Sequence, residues 1–279
     1  MIDHAKYDEP VIDMQVHGNL ENLGYSSKPN VNGHGSLYLR SDISPNYPST
    51  NLDVMRCRAG DSRLLPMVYT NMSRPDYDID LIEKLMRQGA IGLGEIEFVH
   101  VPYSDRNVLV RMLNMIEYIQ RKQGRRFVIN FHCGYISPED TIALFPDYPY
   151  VNQTEAVHDP RDLEGLFRGF QIGFILSHGG NGYLDAASYY SKKYRGGNKD
   201  GNVMIGLSGA PDLRRRILFR LKEDSLLRMR VVMESDGDDV IGWIFANSKG
   251  MLDVKDQRRL LYENAAGMLG LSTEIDKNL

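Results

Sequence analysis

The stretch that decides the fold is AIGLGEIEFVHVPYSDRNVLVRMLNMIEYIQRKQGRRFVINFH, residues 90–132. It begins with a short apolar run, continues through a long amphipathic segment and ends with a second apolar run. Apolar residues recur at helical spacing between 105 and 123, and Gly124 follows as a helix stop. The pattern therefore predicts a strand over 90–98, a helix over 105–123 and a strand over 127–132, which together make one βαβ unit.

The same alternation extends in both directions along the chain. It predicts further strands near 11–17, 65–70, 172–178, 202–207 and 230–236, and helices at 78–88, 138–145, 160–169, 183–194, 211–223 and 254–269. Seven or eight strands, each followed by helix-like sequence, favour an α/β fold of the (β/α)8 TIM-barrel type. An open doubly wound sheet is disfavoured, because the glycines of GAIGLGEI (89–96) lie inside a strand and not after it. We expect residues 1–279 to form a single domain.

The segment 18–63 is the least regular part of the sequence. It is rich in Asn, Gly, Ser, Pro and Tyr, and its one plausible strand is SLYLRS (36–41). A loop of this length inside a compact domain is usually functional or contains an unrecognised element. We expect it to carry the second barrel strand, with some distortion of the barrel around that strand, and a lid over the site.

The net charge, the cysteine count and the length of the apolar stretches argue against several classes of function. The 279-residue chain has a formal net charge of −4, which argues against nucleic-acid binding and leaves a small-molecule substrate as the expected partner. Two cysteines are too few for a disulfide framework, and no apolar stretch is long enough to span a bilayer. A cytoplasmic protein without membrane contact is the expectation, and homo-oligomerisation stays open.

Polar side chains end several of the predicted strands. In a barrel, active-site groups project from the carboxyl ends of the strands, and residues two apart on a strand share a face. The residues at these ends are Gln15, His17, Glu95, Glu97, His132, His178 and Asp236. Three histidines and several carboxylates at one end of a barrel are a donor set that suits Zn²⁺ or Mn²⁺.

Six motifs resemble the amidohydrolase superfamily in order and approximate spacing. They are IDMQVH (12–17), AIGLGE (90–95), VINFH (128–132), ILSHGG (175–180), MESD (233–236) and NAAGMLGL (264–271). The resemblance covers nearly the whole chain, is poor over 18–63, and is closest to the TatD-like and amidohydrolase-2-like branches. It implies a (β/α)8 barrel that binds metal at His17, His132 and His178, with Asp236 as ligand and general base. Glu95 matches the fourth-strand glutamate that bridges two metals in TatD-like members.

Gln15 departs from the family pattern, in which histidine is usual at this position. An amide oxygen is a poorer ligand than imidazole for a borderline-soft ion. The substitution favours one bound ion over two, with Zn²⁺ expected and Mn or Fe as alternatives.

These observations predict a metal-dependent hydrolase whose activated water attacks an amide, ester or phosphoester bond of a small molecule. The expected catalytic residues are Asp236, Glu95 and His178, and the expected substrate contacts are Gln15, Glu97 and Asn181. The amidohydrolase-2 branch also contains non-oxidative decarboxylases, so a metal-dependent lyase is the first alternative. A metal-free, ligand-binding barrel is the second.

Each of these candidate site residues can also be explained by a structural role without catalysis. A strand-end histidine can simply bond a loop, Glu95 can pair with an interior Arg or Lys, and the acidic run around Asp236 can be a surface turn. The loop HGGNG (178–182) can hold an anion with its backbone N–H groups, with or without a metal beside it. Cys133 follows His132 and is expected to face the core.

Overall fold

Parallel strands in chain order form the main sheet. The computed structural model describes residues 12–17, 34–38, 55, 59, 64–68, 79–96, 106–136, 156–197, 200–234 and 240–271. Eight strands of this part pair in parallel: β1 (Ile12–His17), β2 (His34–Tyr38), β3 (Leu64–Val68), β4 (Gly92–Ile96), β5 (Val128–Phe131), β8 (Gly173–Leu176), β9 (Asn202–Leu207) and β10 (Val231–Met233). A separate antiparallel hairpin joins β6 (Gly134–Ile136) and β7 (Ala156–His158). Strands β1 and β10, at the two ends of the order, also contact each other, so the sheet curls as in a TIM-type barrel.

Helices follow most of these strands. They are α1 (Ile79–Arg87), α2 (Arg106–Gln123), α3 (Glu164–Gly169), α4 (Leu184–Lys193), α5 (Pro211–Glu223), α6 (Val240–Ser248), α7 (Val254–Arg258) and α8 (Asn264–Leu269). A 3-10 turn (Pro160–Leu163) precedes α3, and a π turn (Arg259–Glu263) joins α7 to α8. None of the helices in the described ranges is both long and apolar enough to cross a bilayer.

The predicted βαβ unit is confirmed. Helix α2 buries Met112, Leu113, Ile116 and Ile119, and Gly124 ends it with a positive φ of 62°. Cys133 is fully buried in the core, as expected.

The irregular segment also contains a strand, β2 (His34–Tyr38), which overlaps the predicted strand at 36–41 only over residues 36–38. Its pairing with β1 shifts register between Asp13 and Val16. The predicted lid in the rest of 18–63 and the predicted helix at 138–145 lie outside the described residues.

Several element boundaries differ from the prediction. The strands expected at 172–178 and 230–236 end earlier, at Leu176 and Met233, and the helix expected at 254–269 is interrupted by the π turn. Helix α6 and the β6–β7 hairpin were not predicted. The sequence of α6, VIGWIFANS, is apolar on nearly all sides and shows no amphipathic period, and three-residue strands are too short to show alternation.

An inner apolar layer fills the space enclosed by the sheet. Its residues in the strands, or directly before one, are Met14, Leu65, Met67, Ile91, Val128, Ile175, Met204 and Val232, and α8 adds Ala265, Ala266 and Met268. A Cβ on Gly173, the first residue of β8, would lie 3.1 Å from Met268 Cε. Helix α8 therefore packs at the amino ends of the strands, which leaves the carboxyl ends to the polar groups described below.

This packing predicts that Met268→Ala destabilises the protein by about 2–4 kcal/mol, because a buried side chain leaves a cavity in the inner layer. Met268 is 1% exposed, whereas Val254 at the start of α7 is 75% exposed. Urea denaturation should show the loss for Met268→Ala and a change within about 0.5 kcal/mol for Val254→Ala. Equal effects of the two substitutions would contradict the placement of α8.

Candidate active site

Interior side chains change from apolar to polar towards the carboxyl ends of four adjacent strands. On β5 the alternation runs from Val128 through Asn130 to His132, since residues two apart share a face. Each of the other three strands has an apolar residue within it and a polar residue directly after it on the same face. These pairs are Ile175 and Ser177 for β8, Met204 and Ser208 for β9, and Val232 and Glu234 for β10. A polar layer therefore lies directly above the apolar one, at the carboxyl ends of the strands, which is where active sites form in TIM-type barrels.

Glu234 is the charged residue of this polar layer and is fully buried. Its Oε1 accepts a hydrogen bond from Asn130 Nδ2 at 3.0 Å, and its Oε2 accepts one from Ser208 Oγ at 3.0 Å. Ser177 Oγ lies 3.0 Å from Oε1 and also contacts Asn130 Oδ1, so its single proton is shared between these two oxygens. A Cβ on Gly206 would lie 1.6 Å from Oε2, so only glycine leaves room for the carboxylate there. These bonds satisfy a buried carboxylate that would otherwise be costly to desolvate.

Ser208 links this carboxylate to His178. A carboxylate can only accept, so we assign the single proton of the Ser208 hydroxyl to its bond with Glu234; the hydroxyl oxygen accepts from the backbone N–H of His178 at 3.1 Å. His178 Nδ1 lies 3.0 Å from the same hydroxyl oxygen. Because that oxygen has no second proton to give, Nδ1 must carry the hydrogen, and the lone pair of the neutral ring is then on Nε2.

His178 Nε2 faces a second histidine. It lies 3.2 Å from Nδ1 of His132, and the two ring centroids are 4.5 Å apart with the planes tilted by 57°. This distance suits a proton shared between the rings. It also suits two ligands of one ion, since Zn–N bonds of about 2.0–2.1 Å at a tetrahedral angle place two nitrogens about 3.3 Å apart. The described pair therefore fits a divalent metal.

The turn that carries His178 has an unusual backbone. Residues Ser177–Gly180 form a 3-10 turn in which His178 has φ 56° and ψ 28°, a left-handed conformation that costs a non-glycine residue about 1–2 kcal/mol. Gly179 and Gly180 continue the turn with positive φ. The hydrogen bond from the His178 amide to Ser208 helps to hold this turn, and such strain is typical of functional sites.

The structure brings two of the predicted metal ligands, His132 and His178, into contact. Asn181 follows in the same turn and donates its backbone N–H to His178 O at 2.8 Å. Its Cβ packs against Gly134, where an added Cβ would approach it to 2.2 Å. The role of Asn181 in substrate binding stays a prediction.

The other predicted site residues are not described in full. His17 is the last residue of β1, Gln15 lies two residues earlier, and Glu95 lies in β4, but their side chains are outside the described part. Glu97 and Asp236 lie outside the described residues altogether. Within the described part, no group of three or more His, Cys, Asp or Glu side chains is arranged to hold a metal.

Four residues of the polar layer were not predicted from the sequence as site residues: Asn130, Ser177, Ser208 and Glu234. The usable signal was the two-residue alternation, which puts Asn130 on the face of His132 and Glu234 on the face of Asp236. Neutral serine and asparagine side chains gave no chemical reason to select them.

No protein-family model and no curated protein matches this sequence. Solved structures do match over most of the chain. The 5-carboxyvanillate decarboxylase of Sphingomonas paucimobilis superimposes with a TM-score of 0.56, at 11% identity, over 94% of this chain and 99% of that one. The fold resembles that of amidohydrolase-superfamily enzymes. The resemblance predicted from the sequence is thus confirmed at the level of the fold.

Two further structures support the same similarity. A β-aspartyl dipeptidase from Fervidobacterium islandicum AW-1 matches with a TM-score of 0.53 and 17% identity, over 94% of this chain and 74% of that one. An amidohydrolase from Burkholderia multivorans, whose structure contains bound zinc, matches with a TM-score of 0.51 and 10% identity, over 90% of this chain and 87% of that one. At these identities the similarity concerns the fold, and the chemistry has to be argued from the side chains.

The hydrogen bonds of Ser208 predict which ring nitrogen of His178 carries the proton. In ¹⁵N-histidine spectra at a pH where the ring is neutral, Nδ1 should show the protonated shift and Nε2 the unprotonated one. Ser208→Ala should abolish this preference and destabilise the protein by about 1–3 kcal/mol, because Glu234 Oε2 loses a donor.

The control for this prediction is Ser191→Ala. Its buried hydroxyl donates only within its own helix, to Ser188 O at 3.0 Å, so the His178 signals should not change. A wild-type spectrum with the proton on Nε2 would contradict the arrangement.

Proposed function

We propose that the chain closes into a (β/α)8 barrel and is a metal-dependent hydrolase of amidohydrolase type that acts on a small molecule. The observation that carries this proposal is the pair of imidazole nitrogens 3.2 Å apart at the carboxyl ends of β5 and β8. The fold similarity to amidohydrolase-superfamily enzymes, one of them with bound zinc, supports it.

His132 Nδ1 and His178 Nε2 would hold the ion, and His17, Glu95 and Asp236 are the further ligands that the sequence resemblance implies. When bound, a divalent ion such as Zn²⁺ makes hydroxide available near neutral pH by lowering the pKa of coordinated water to about 7. One ion is proposed over two, because Gln15 replaces a histidine of the family pattern.

The chain's own residues prepare this chemistry. Ser208 keeps the proton of His178 on Nδ1, which would leave the Nε2 lone pair available to hold an ion, and Glu234 holds Ser208 in the orientation that does so. Asp236, two residues beyond Glu234, is the proposed acceptor of the proton from the attacking water. Asn181, beside His178 in the same turn, is a proposed substrate contact.

A non-oxidative decarboxylase is the second candidate. It is favoured by the decarboxylase from Sphingomonas paucimobilis, which shares this fold over nearly the whole length of both chains. In that reaction the loss of carbon dioxide would leave a carbanion-like intermediate, and a side chain of the site in its protonated form would have to donate the proton that replaces the carboxyl group. The two candidates differ in product, since only the lyase releases carbon dioxide and only the hydrolase incorporates oxygen from water.

The proposal predicts that purified protein binds about one equivalent of Zn²⁺ and that His132→Ala or His178→Ala lowers this affinity at least about 100-fold. The zinc-loaded wild type should hydrolyse at least one compound in a panel of small amides, esters and phosphoesters, and both variants should lose this activity. Isothermal titration with Zn²⁺ and an ¹⁸O-water incorporation assay provide the measurements.

His4→Ala serves as the histidine control, because His4 lies outside every predicted strand. It should bind zinc like the wild type. Unchanged zinc affinity in His178→Ala, or full turnover after exhaustive removal of metal by chelation, would rule the proposal out.

A further inference from the structure

Arg230 is a buried cation whose hydrogen bonds go only to neutral oxygens. It directly precedes β10 and is 8% exposed. Its Nη2 donates to Tyr194 O at 3.3 Å, to Asn202 Oδ1 at 2.5 Å and to Val203 O. Its Nε is buried and has no hydrogen-bond partner among the described residues. Burial of a charge without an opposite charge is unfavourable, so this guanidinium lacks a counterion within the described chain.

Arg195 lies beside it and is also bonded only to a neutral oxygen. Its Nε donates to Lys192 O at 2.6 Å, at the carboxyl end of α4. Its backbone forms a bridge with Asn202, the residue whose side-chain oxygen accepts from Arg230. The two arginines are therefore brought together by one residue, Asn202, at the start of β9.

Three cations close to these two arginines in the sequence differ from them, because each has a carboxylate partner. The pairs are Lys192 with Asp224 at 2.7 Å, Lys193 with Glu164 at 2.6 Å, and Arg228 with Asp256 at 2.7 Å. Among the described residues, neither Arg195 nor Arg230 forms such a pair, and Asp200 in the loop between Arg195 and β9 forms none with them.

The charge of the arginine pair is only partly offset. The carbonyl end of a helix such as α4 is equivalent to about half a negative charge, against two guanidinium groups. Burial, with a smaller contribution from Arg195, lowers the pKa of Arg230 to about 10. Arg230 therefore remains protonated near neutral pH, and both groups can act as cationic donors.

We propose that Arg195 and Arg230 form a binding site for a small oxyanion of the phosphate class at the amino ends of β9 and β10. Arg230 Nη1, which makes no hydrogen bond within the described chain, and the exposed guanidinium of Arg195 supply the donors. Guanidinium groups match the oxygens of phosphate in a forked geometry. The site lies at the opposite end of the strands from His132 and His178, so it is separate from the proposed catalytic centre.

Calorimetric titration with inorganic phosphate at pH 7, against sodium chloride of equal ionic strength, tests this site. The wild type should bind phosphate saturably, and its melting temperature should rise with phosphate but not with the chloride control. Arg195→Ala, at an exposed position, should weaken phosphate binding at least tenfold. Arg230→Lys keeps the positive charge but loses the forked donor geometry of guanidinium, so it should also weaken phosphate binding. Because it keeps the charge, this second variant should disturb folding less than removal of the side chain would.

Two controls separate this site from other phosphate binding. Arg215→Ala removes an exposed arginine that pairs with Asp212 on α5, and it should leave phosphate affinity unchanged. His178→Ala should also bind phosphate like the wild type, whatever it does to zinc binding. Phosphate binding that is lost in His178→Ala but kept in Arg195→Ala would overturn the proposal, as would no saturable binding in the wild type.

Discussion

The interaction on which the proposed site depends is the hydrogen bond from Ser208 to the buried carboxylate of Glu234. Glu234 is held by Asn130 and Ser177 on its other oxygen, and it occupies space that only Gly206 leaves open. With its proton committed to Glu234, Ser208 can only accept from His178. One buried carboxylate thereby sets the orientation and tautomer of an imidazole at the carboxyl ends of the strands.

The fold places these groups by a simple gradient along the strands. The amino ends are filled by apolar side chains and by α8. The same inward faces become polar two residues later on β5, β8 and β10, and four residues later on β9. The parallel sheet brings β5, β8, β9 and β10 side by side, so residues more than 100 positions apart, such as Asn130 and Glu234, meet in one layer. The charged pair Arg195 and Arg230 lies at the other end of the strands, away from the proposed catalytic residues.

Much of the fold was predictable because helices α2 and α5 have clear apolar periods and strand β9 is a nearly continuous apolar run. The contact of His132 with His178 was foreseeable from their places at strand ends, although the left-handed turn at His178 was not. The partner of His178 could not be predicted, because Ser208 lies 30 residues further along the chain and reaches it only through the pairing of β8 with β9. Helix α6 was missed because its sequence is apolar on nearly all sides.

The most direct test of the account is the position of zinc in crystals of the metal-loaded protein, located by anomalous X-ray scattering at the zinc edge. The account predicts one strong peak about 2.0–2.1 Å from both His132 Nδ1 and His178 Nε2, with Ser208 still bonded to His178 Nδ1. A zinc ion bound through His178 Nδ1, or bound elsewhere with the two histidines still in contact with each other, would contradict it.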